Sequence, residues 1–244
     1  MKFILSDVNV GDGERISRYI EVPAMRNGPL HQLMFPPASS LSLEQNEEII
    51  RWYTNMLEVA FVDRWESFLK ATDADGTPYG FCGWTVIEKK KTTEATTSVE
   101  PEIQQGTQQA KRNNWIPEAL NTETWVTVSQ ALRKERNRVL KDLDNICRQY
   151  PMFALLEALV WLQPIGITFM AVKPDYQRQG IGSSMMERMC KEIDAHGRYA
   201  YVLASPEGAL LYSKFGFVEV GQVETDKGVI SSMLRQPRQA QVGS

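Results

Sequence analysis

Gln177-Arg178-Gln179-Gly180-Ile181-Gly182 is the stretch that decides the fold of this chain. It lies between an apolar run at residues 167–172, which predicts a buried strand, and residues 183–193, which predict a helix. The first N–H groups of a helix have no partner within the helix, and the helix dipole adds positive potential there. Glycine also lets the backbone approach a ligand closely, because it has no Cβ. The stretch therefore predicts an anion site that suits a pyrophosphate.

Two nucleotide-binding alternatives conflict with the residues around these glycines. A phosphate loop of the Walker type ends in Gly-Lys-Ser or Gly-Lys-Thr, and the chain contains neither sequence. A dinucleotide fingerprint needs a third glycine, but Met185 stands at that position. The stretch is therefore not expected to bind a nucleoside triphosphate or a dinucleotide.

A second motif downstream narrows the ligand. Val172-x-Pro174 precedes the glycine stretch, and Leu211-Tyr212-Ser213-Lys214-Phe215-Gly216-Phe217 follows it. In this order the motifs resemble the acetyl-CoA motif and the tyrosine element of the GNAT superfamily of N-acetyltransferases. The resemblance is firm over residues 167–234. Weaker features are similar to the fungal small-molecule branch of this superfamily, namely Pro29-Leu30, Phe35-Pro36, Asp75-Gly76, Trp84 and Ala204-Ser205-Pro206-Glu207-Gly208.

The resemblance implies a role for each residue of the two motifs. The pantetheine arm of acetyl-CoA would pair with the backbone of Met170, Ala171 and Val172, and one N–H would polarise the thioester carbonyl. The pyrophosphate would lie against Gln177, Arg178, Gln179, Gly180, Ile181, Gly182 and Ser183. Ser205 would bond the cofactor arm where many members have Asn. Tyr212 would bind the cofactor and protonate the departing thiolate, because a phenol keeps its proton at neutral pH.

The core strand lacks the acid that serves many members of the superfamily as general base. Residues 167–170 are Ile-Thr-Phe-Met. Water, Thr168, Glu88 and Glu157 stay open as alternatives for removing the proton of an amine. His31 stands beside Pro29 and Leu30, and we expect it to make an ordinary loop contact.

The apolar pattern predicts an α/β chain (α+β in some schemes), with a mixed, mostly antiparallel, twisted sheet and helices on both faces. Residues 2–7, 65–72, 79–88, 167–172, 199–203, 217–223 and 229–234 are the expected strands. Residues 164–166 are expected to be a break. Ile16, Tyr19 and Ile20 are expected to share one helix face. A long helix is expected to open with a capping box at Ser42 and Gln45. The cofactor would enter where two parallel core strands diverge.

We expect one N-acetyltransferase domain over residues 1–244 with an insertion at about residues 89–162. Residues 89–109 nearly lack large apolar side chains and predict a mobile loop. Residues 121–149 predict a helix whose apolar stripe includes Val128, Leu132, Val139 and Leu143. Residues 152–162 are apolar throughout, a pattern that fits a buried helix or a strand.

Composition argues against several classes of protein. The net charge of −3 does not fit a general nucleic-acid binder. No apolar run approaches the roughly 20 residues of a membrane span, and an acid at Asp7 comes too early for a signal peptide. The three separated cysteines, Cys82, Cys147 and Cys190, indicate a reducing, cytoplasmic setting. With two histidines and no CxxC, no metal site is expected.

The residues and the resemblance together predict an acetyl-CoA-dependent N-acetyltransferase that acts on a small primary amine by direct transfer in a ternary complex. We expect a monomer or homodimer with no nucleic-acid or membrane partner. A non-catalytic acetyl-CoA-binding module and an enzyme that acetylates a protein or peptide are the alternatives. A small acceptor is favoured, because the insertion is expected to cover the acceptor side.

Overall fold

One seven-stranded sheet organises the molecule. The computed structural model describes residues 2–62, 66–87, 115–148 and 164–238. The strands are β1 (Ile4–Asp7), β2 (Glu66–Thr72), β3 (Pro78–Val86), β4 (Ile165–Val172), β5 (Ala200–Ala204), β6 (Val218–Thr225) and β7 (Gly228–Arg235). Their order is β1-β2-β3-β4-β5-β7-β6, and every neighbouring pair is antiparallel except β4 with β5. The predicted mixed, mostly antiparallel sheet is confirmed.

Helices cover both faces of this sheet, as predicted. They are α1 (Gly13–Ile16), α2 (Val22–Met25), α3 (Pro29–Met34), α4 (Leu43–Val62), α5 (Thr122–Arg148), α6 (Ile181–Ala195) and α7 (Pro206–Lys214), with a π-helical turn (Ser17–Glu21) between α1 and α2. Successive residues of β3 show the two faces. Phe81 packs with Ile16 of α1 and Leu57 of α4, whereas Cys82 belongs to the cluster that contains Met185 of α6.

The start of α4 is fixed by the predicted capping box. The Gln45 N–H donates to Ser42 Oγ at 3.1 Å, and the Ser42 N–H donates to Gln45 Oε1 at 3.0 Å. Two helix-terminal N–H groups are thereby satisfied reciprocally. The helix then buries Trp52, Tyr53 and Leu57 against the rest of the chain.

Two details of the sequence prediction are wrong. Residues 164–166 are not simply a break, because β4 begins at Ile165, and Ile165 and Gly166 pair with β3 on one side and β5 on the other. Tyr19 does not share the buried face of Ile16 and Ile20, since half of its surface is exposed (50%). The π-helical turn shifts the period of the helix in this segment.

The insertion is described only in part. The predicted loop at residues 89–109 and the apolar residues 152–162 lie outside the described residues. Within α5, Val139 and Leu143 are buried, and Arg138 donates to the Val220 carbonyl of β6 at 2.9 Å. In the parts of the chain that the structure describes, no helix combines the length and hydrophobicity that crossing a bilayer requires.

Candidate active site

The cleft between β4 and β5 is the central opening of the sheet. These parallel strands pair only at Ile165 with Ala200 and at Gly166 with Tyr201. Beyond that point they diverge, so the edge of β4 that faces β5 has no strand partner among the described residues. Backbone N–H and C=O groups on such an edge can pair with the amides of an extended ligand. The predicted divergence of two parallel core strands is confirmed.

A β-bulge redirects the backbone of β4 within this cleft. Gly83 of β3 lies opposite Phe169, and Trp84 lies opposite Ile167. Thr168 is therefore the extra residue, and its side chain is exposed. A bulge increases the local twist of the strand and changes the direction in which the neighbouring backbone and side-chain groups point. The three residues assigned to the pantetheine arm begin two positions after the bulge and all line the cleft, namely Met170, Ala171 and Val172.

The glycine turn lies at the far end of β4 and opens α6. Gly180 has a φ of +88° and caps the helix without a side-chain hydrogen bond, and a Cβ on it would meet no atom within 4 Å. Arg178 also has a positive φ, +61°, which is uncommon outside glycine. Left-handed residues in such a turn direct N–H groups into a concave anion site, and the helix dipole reinforces it.

Polar side chains hold the turn in place and give it positive charge. Gln177 Nε2 donates to the Val172 carbonyl at 3.0 Å, and Gln179 Nε2 donates to the Asp175 carbonyl at 3.1 Å. Arg178 and Lys214 line the same cavity as the turn. The two cations and the helix N-terminus together suit a ligand that carries several negative charges.

The predicted site residues fall into two groups. Most of the cofactor-binding residues border the cavity, and Ser183 and Gly182 do so at the first turn of α6. Ile181 does not, because its side chain is 1% exposed and packs in the core cluster of α6. Gln179 does not border the cavity either; its side chain makes a hydrogen bond within the turn.

Tyr212 lies on α7 across the cleft from β4. Its ring is buried, contacts the ring of Phe217 at 5.6 Å between centroids, and borders the cavity. Burial raises the pKa of its hydroxyl above the ordinary value, and the neighbouring Cys82 adds to the shift. Within the described residues this hydroxyl makes no hydrogen bond. Tyr212 is thus a protonated phenol facing the cleft and able to donate.

Ser205 serves as the N-cap of α7. Its Oγ accepts a hydrogen bond from the Gly208 N–H at 3.2 Å, which satisfies one of the free donors of the helix. The residue also borders the cavity. The hydroxyl proton stays available to donate to a ligand, because the cap uses only a lone pair.

One cavity of about 960 Å³ passes through the cleft and continues beneath the N-terminal helices. At one end it borders the glycine turn and α7. At the other end it borders α2, α3, α4 and the first turns of α5. We call this second end the acceptor chamber; its walls include Glu21, His31, Trp52, Tyr53 and Trp125.

Glu21 is the buried acid of the acceptor chamber. It is 1% exposed and is the last residue of the π-helical turn. Pro23 follows two positions later, and because proline has no N–H it cannot donate the next hydrogen bond of an α-helix. The wider π-helical turn lies just before this missing bond. Burial raises the pKa of Glu21 to about 8, although a long hydrogen bond from Ser17 Oγ, at 3.5 Å, opposes the shift. Such a group exchanges its proton near neutral pH.

Two further polar groups of the chamber are neutral at physiological pH. His31 Nδ1 lies 3.4 Å from the Tyr53 hydroxyl. Burial lowers the pKa of His31 to about 4, with a contribution from the charge of Arg26. Burial also raises the pKa of Tyr53, and the charge of Glu21 adds to that shift. Glu21 is therefore the group of this trio whose charge can change between pH 6 and 9.

Sequence reasoning did not identify these three residues as a site. His31 was expected to make a loop contact, but it lies in α3 and is buried against Phe35 and Tyr53. The available signal for Glu21 was an acid between the apolar residues Ile20 and Val22, two positions before Pro23. Of the alternatives for the general base, Thr168 borders the cavity, whereas Glu88 and Glu157 lie outside the described residues.

Comparisons with known proteins agree with this geometry. Residues 147–219 match the family model described as Acetyltransferase (GNAT) domain. A protein of Corynebacterium glutamicum described as a histone acetyltransferase and related acetyltransferase has a similar structure (TM-score 0.57, 14% identity, 99% of this chain and 100% of that chain covered). A mosquito protein described as arylalkylamine N-acetyltransferase like 5b is also similar (TM-score 0.54, 14% identity, 96% and 100% covered). No curated protein sequence matches the chain.

The structural likenesses show the fold, and the family match supplies the class of activity. Residues 147–219 carry the match to a GNAT acetyltransferase domain, and the whole chain has the fold of the structures described above. The chain is an enzyme of the acyltransferase class.

Proposed function

We propose that the protein transfers an acetyl group from acetyl-CoA directly to the primary amine of a small molecule. The nitrogen lone pair attacks the thioester carbonyl carbon, so a C–N bond forms as the C–S bond breaks. One ammonium proton of the acceptor goes to a base before the attack. Tyr212 gives its proton to the departing sulfur, and the second proton that the nitrogen loses returns to Tyr212. The products are an N-substituted acetamide, the CoA thiol and one proton.

The single cavity that joins the glycine turn to the acceptor chamber carries this proposal. Direct transfer needs both substrates in one space with their reacting atoms in contact. The donor half offers a helix N-terminus with no side-chain cap, a glycine with open space at its Cβ position, and the cations Arg178 and Lys214. These features fit the pyrophosphate of acetyl-CoA, whereas the free edge of β4 fits the amides of its pantetheine arm.

The position and lining of the acceptor half support a small acceptor over a protein or peptide. It lies beneath α2, α3 and α4, and its lining includes Trp52, which is 9% exposed. A peptide would need an open groove along the sheet. The resemblance of Pro29-Leu30 and Phe35-Pro36 to the fungal small-molecule branch supports the same choice.

A carboxylate placed at the anion site tests the assignment of the donor half to acetyl-CoA. We expect Gly180→Asp to weaken CoA binding about tenfold or more in titration calorimetry, because the new charge repels the pyrophosphate at the helix N-terminus. Asp tolerates a left-handed conformation better than most residues, so the fold is expected to persist.

Gly197→Asp is the matched control for this variant. Gly197 also has a positive φ, +60°, with no atom within 4 Å of its Cβ position, but it lies at the opposite end of α6. We expect this variant to bind CoA as the wild type does. Failure of the wild type to bind CoA would refute the proposal. Binding without thiol release from acetyl-CoA for any amine would instead indicate a non-catalytic CoA-binding module.

A further inference from the structure

The acceptor chamber holds one buried carboxylate among neutral and apolar walls. Glu21 is the group that can take up that charge near neutral pH, whereas His31 and Tyr53 stay neutral at physiological pH. Arg26 lies close enough to affect His31, but it does not border the cavity, and its guanidinium donates to Asn46 Oδ1 at 2.6 Å. The described residues that line this chamber therefore offer one partner for a positively charged group of a ligand. They offer no partner for a negatively charged group.

Aromatic and aliphatic side chains make up most of the rest of the wall, and Asn27 and Ser129 add neutral polar groups. Trp52 contacts Tyr53 at 5.2 Å and Trp125 at 6.0 Å between ring centroids, both edge to face. Met25, Met34 and Leu132 complete the apolar lining. Aromatic faces attract cations and also pack well against a flat apolar body. The lining therefore matches a ligand with one ammonium and an apolar remainder.

We propose that the acceptor is a monoamine with an aromatic or otherwise apolar body, and that its ammonium is bound and deprotonated by Glu21. This inference rests on the function proposed above and assigns its base. The ammonium donates to the Glu21 carboxylate and transfers one proton to it, which frees the nitrogen lone pair for attack on the thioester carbon. The proton leaves Glu21 for solvent after transfer.

The position of Glu21 suits this role. The π-helical turn that it ends packs against β3 and β4, and β4 is the strand assigned to the acetyl-bearing arm. Phe81 of β3 and Phe169 and Ala171 of β4 pack in one apolar cluster with Ile20 of this turn. Ser17 of the same turn donates to Glu21, and Tyr53 of α4 lies close enough for the charge of Glu21 to raise its pKa. No described cation is paired with Glu21 in a salt bridge, so an ammonium can bind without displacing one.

Two matched pairs of amines test the class of acceptor. Phenethylamine and phenylalanine differ by one carboxylate, and hexylamine and hexanediamine differ by one ammonium. We expect kcat/KM for thiol release to be at least about tenfold higher for the first member of each pair, because a second charge in the chamber would be buried without a partner. Equal or greater turnover of phenylalanine and hexanediamine would overturn the inference and leave the proposed function intact.

Glu21→Gln tests the residue, and Glu14→Gln is its control. Gln has the shape of a protonated Glu but cannot accept the proton. We expect kcat/KM for phenethylamine to fall at least about tenfold, whereas the affinity for CoA stays unchanged. Glu14 lies on the neighbouring α1 with 64% of its side chain exposed, so its replacement is expected to leave both quantities unchanged.

The pH profile distinguishes a base from a merely structural acid. With its pKa at about 8, wild-type Glu21 becomes competent as pH rises, so kcat/KM should rise through that pH. In the Glu21→Gln variant, kcat/KM should no longer rise through the pKa of Glu21, and only the pH dependence that comes from the amine itself should remain. Folded Glu21 also holds its proton more tightly than an unfolded one, so the wild type loses stability as pH rises from about 4.5 to about 8.

The melting temperature shows whether the Glu21→Gln variant is folded. At pH 4 the melting temperature of Glu21→Gln should equal that of the wild type. At pH 9 it should be higher than that of the wild type, because Gln does not become a buried charge. A Glu21→Gln enzyme with wild-type kcat/KM and an unchanged pH profile would overturn the assignment of Glu21. Intact CoA binding with no thiol release from any amine would refute both this inference and the proposed function.

Discussion

Replacing Tyr212 by Phe is expected to lower kcat about 100-fold or more while the affinity for acetyl-CoA changes little. The change removes the phenolic proton and keeps the ring, which packs against Phe217 and borders the cavity. The hydroxyl has no hydrogen-bond partner within the described residues, so its loss leaves no partner unsatisfied there. Single-turnover measurement of thiol release, with CoA binding measured by calorimetry, separates the two effects.

Tyr201→Phe is the control for this loss of a phenol. Tyr201 is also a buried tyrosine, but it pairs with Ser232 Oγ at 3.2 Å and does not border the cavity. We expect normal kcat from that variant. Because the pKa of Tyr212 is raised, Tyr212 should still be protonated at about pH 10, where an ordinary tyrosine is half deprotonated, so the wild type should keep its kcat up to that pH. A Tyr212→Phe enzyme with wild-type kcat would exclude Tyr212 as the acid.

The donor half of the site was predictable from sequence because it is local. A strand, a glycine turn and a helix follow one another within residues 165–195, and the backbone of such a unit sets its own geometry. Gly180 needs its left-handed conformation, and no side chain from a distant segment is required to form the turn. The same holds for the capping box of α4, whose hydrogen bonds join Ser42 and Gln45, three positions apart.

The acceptor half could not be predicted because it depends on contacts between distant segments. Glu21, His31 and Tyr53 come from three helical elements and meet only when these pack over the sheet. The raised pKa of Glu21 follows from burial, which is a property of the folded chain rather than of its neighbours in sequence. A single sequence shows Glu21 as one acid in a helix, and its low exposure becomes visible only in the structure.

An ion pair at the far ends of α6 and α7 is expected to carry a large share of the stability. Arg235 of β7 is 2% exposed and donates to both carboxylate oxygens of Asp194 at 2.8 Å, and its Nε donates to the Phe215 carbonyl at 2.8 Å. Asp194 lies in the last turn of α6, whereas Phe215 directly follows α7. The pair therefore fastens both helices of the donor half to the sheet.

Asp194→Asn is expected to lower the free energy of unfolding by about 3 kcal/mol, because it leaves the buried guanidinium of Arg235 without its counter-charge. This value is the lower end for a broken buried pair, since Asp194 is partly exposed at 27% and water screens part of the loss. Asp142→Asn is the control. Its carboxylate, 58% exposed, pairs with the half-exposed Arg138, so we expect a change below about 1 kcal/mol in urea unfolding.

The dependence of this effect on pH follows from the pKa of Asp194. Burial alone would raise that pKa, but hydrogen bonds from Arg235 and from the Arg238 N–H outweigh burial and hold it below its ordinary value of 3.8. A carboxyl with a depressed folded pKa stabilises the protein above its unfolded pKa and loses that contribution as pH falls. The difference between wild type and Asp194→Asn should thus stay constant from pH 5 to 8 and narrow below about pH 4. An Asp194→Asn protein as stable as Asp142→Asn at pH 7 would show that the pair does not hold these helices.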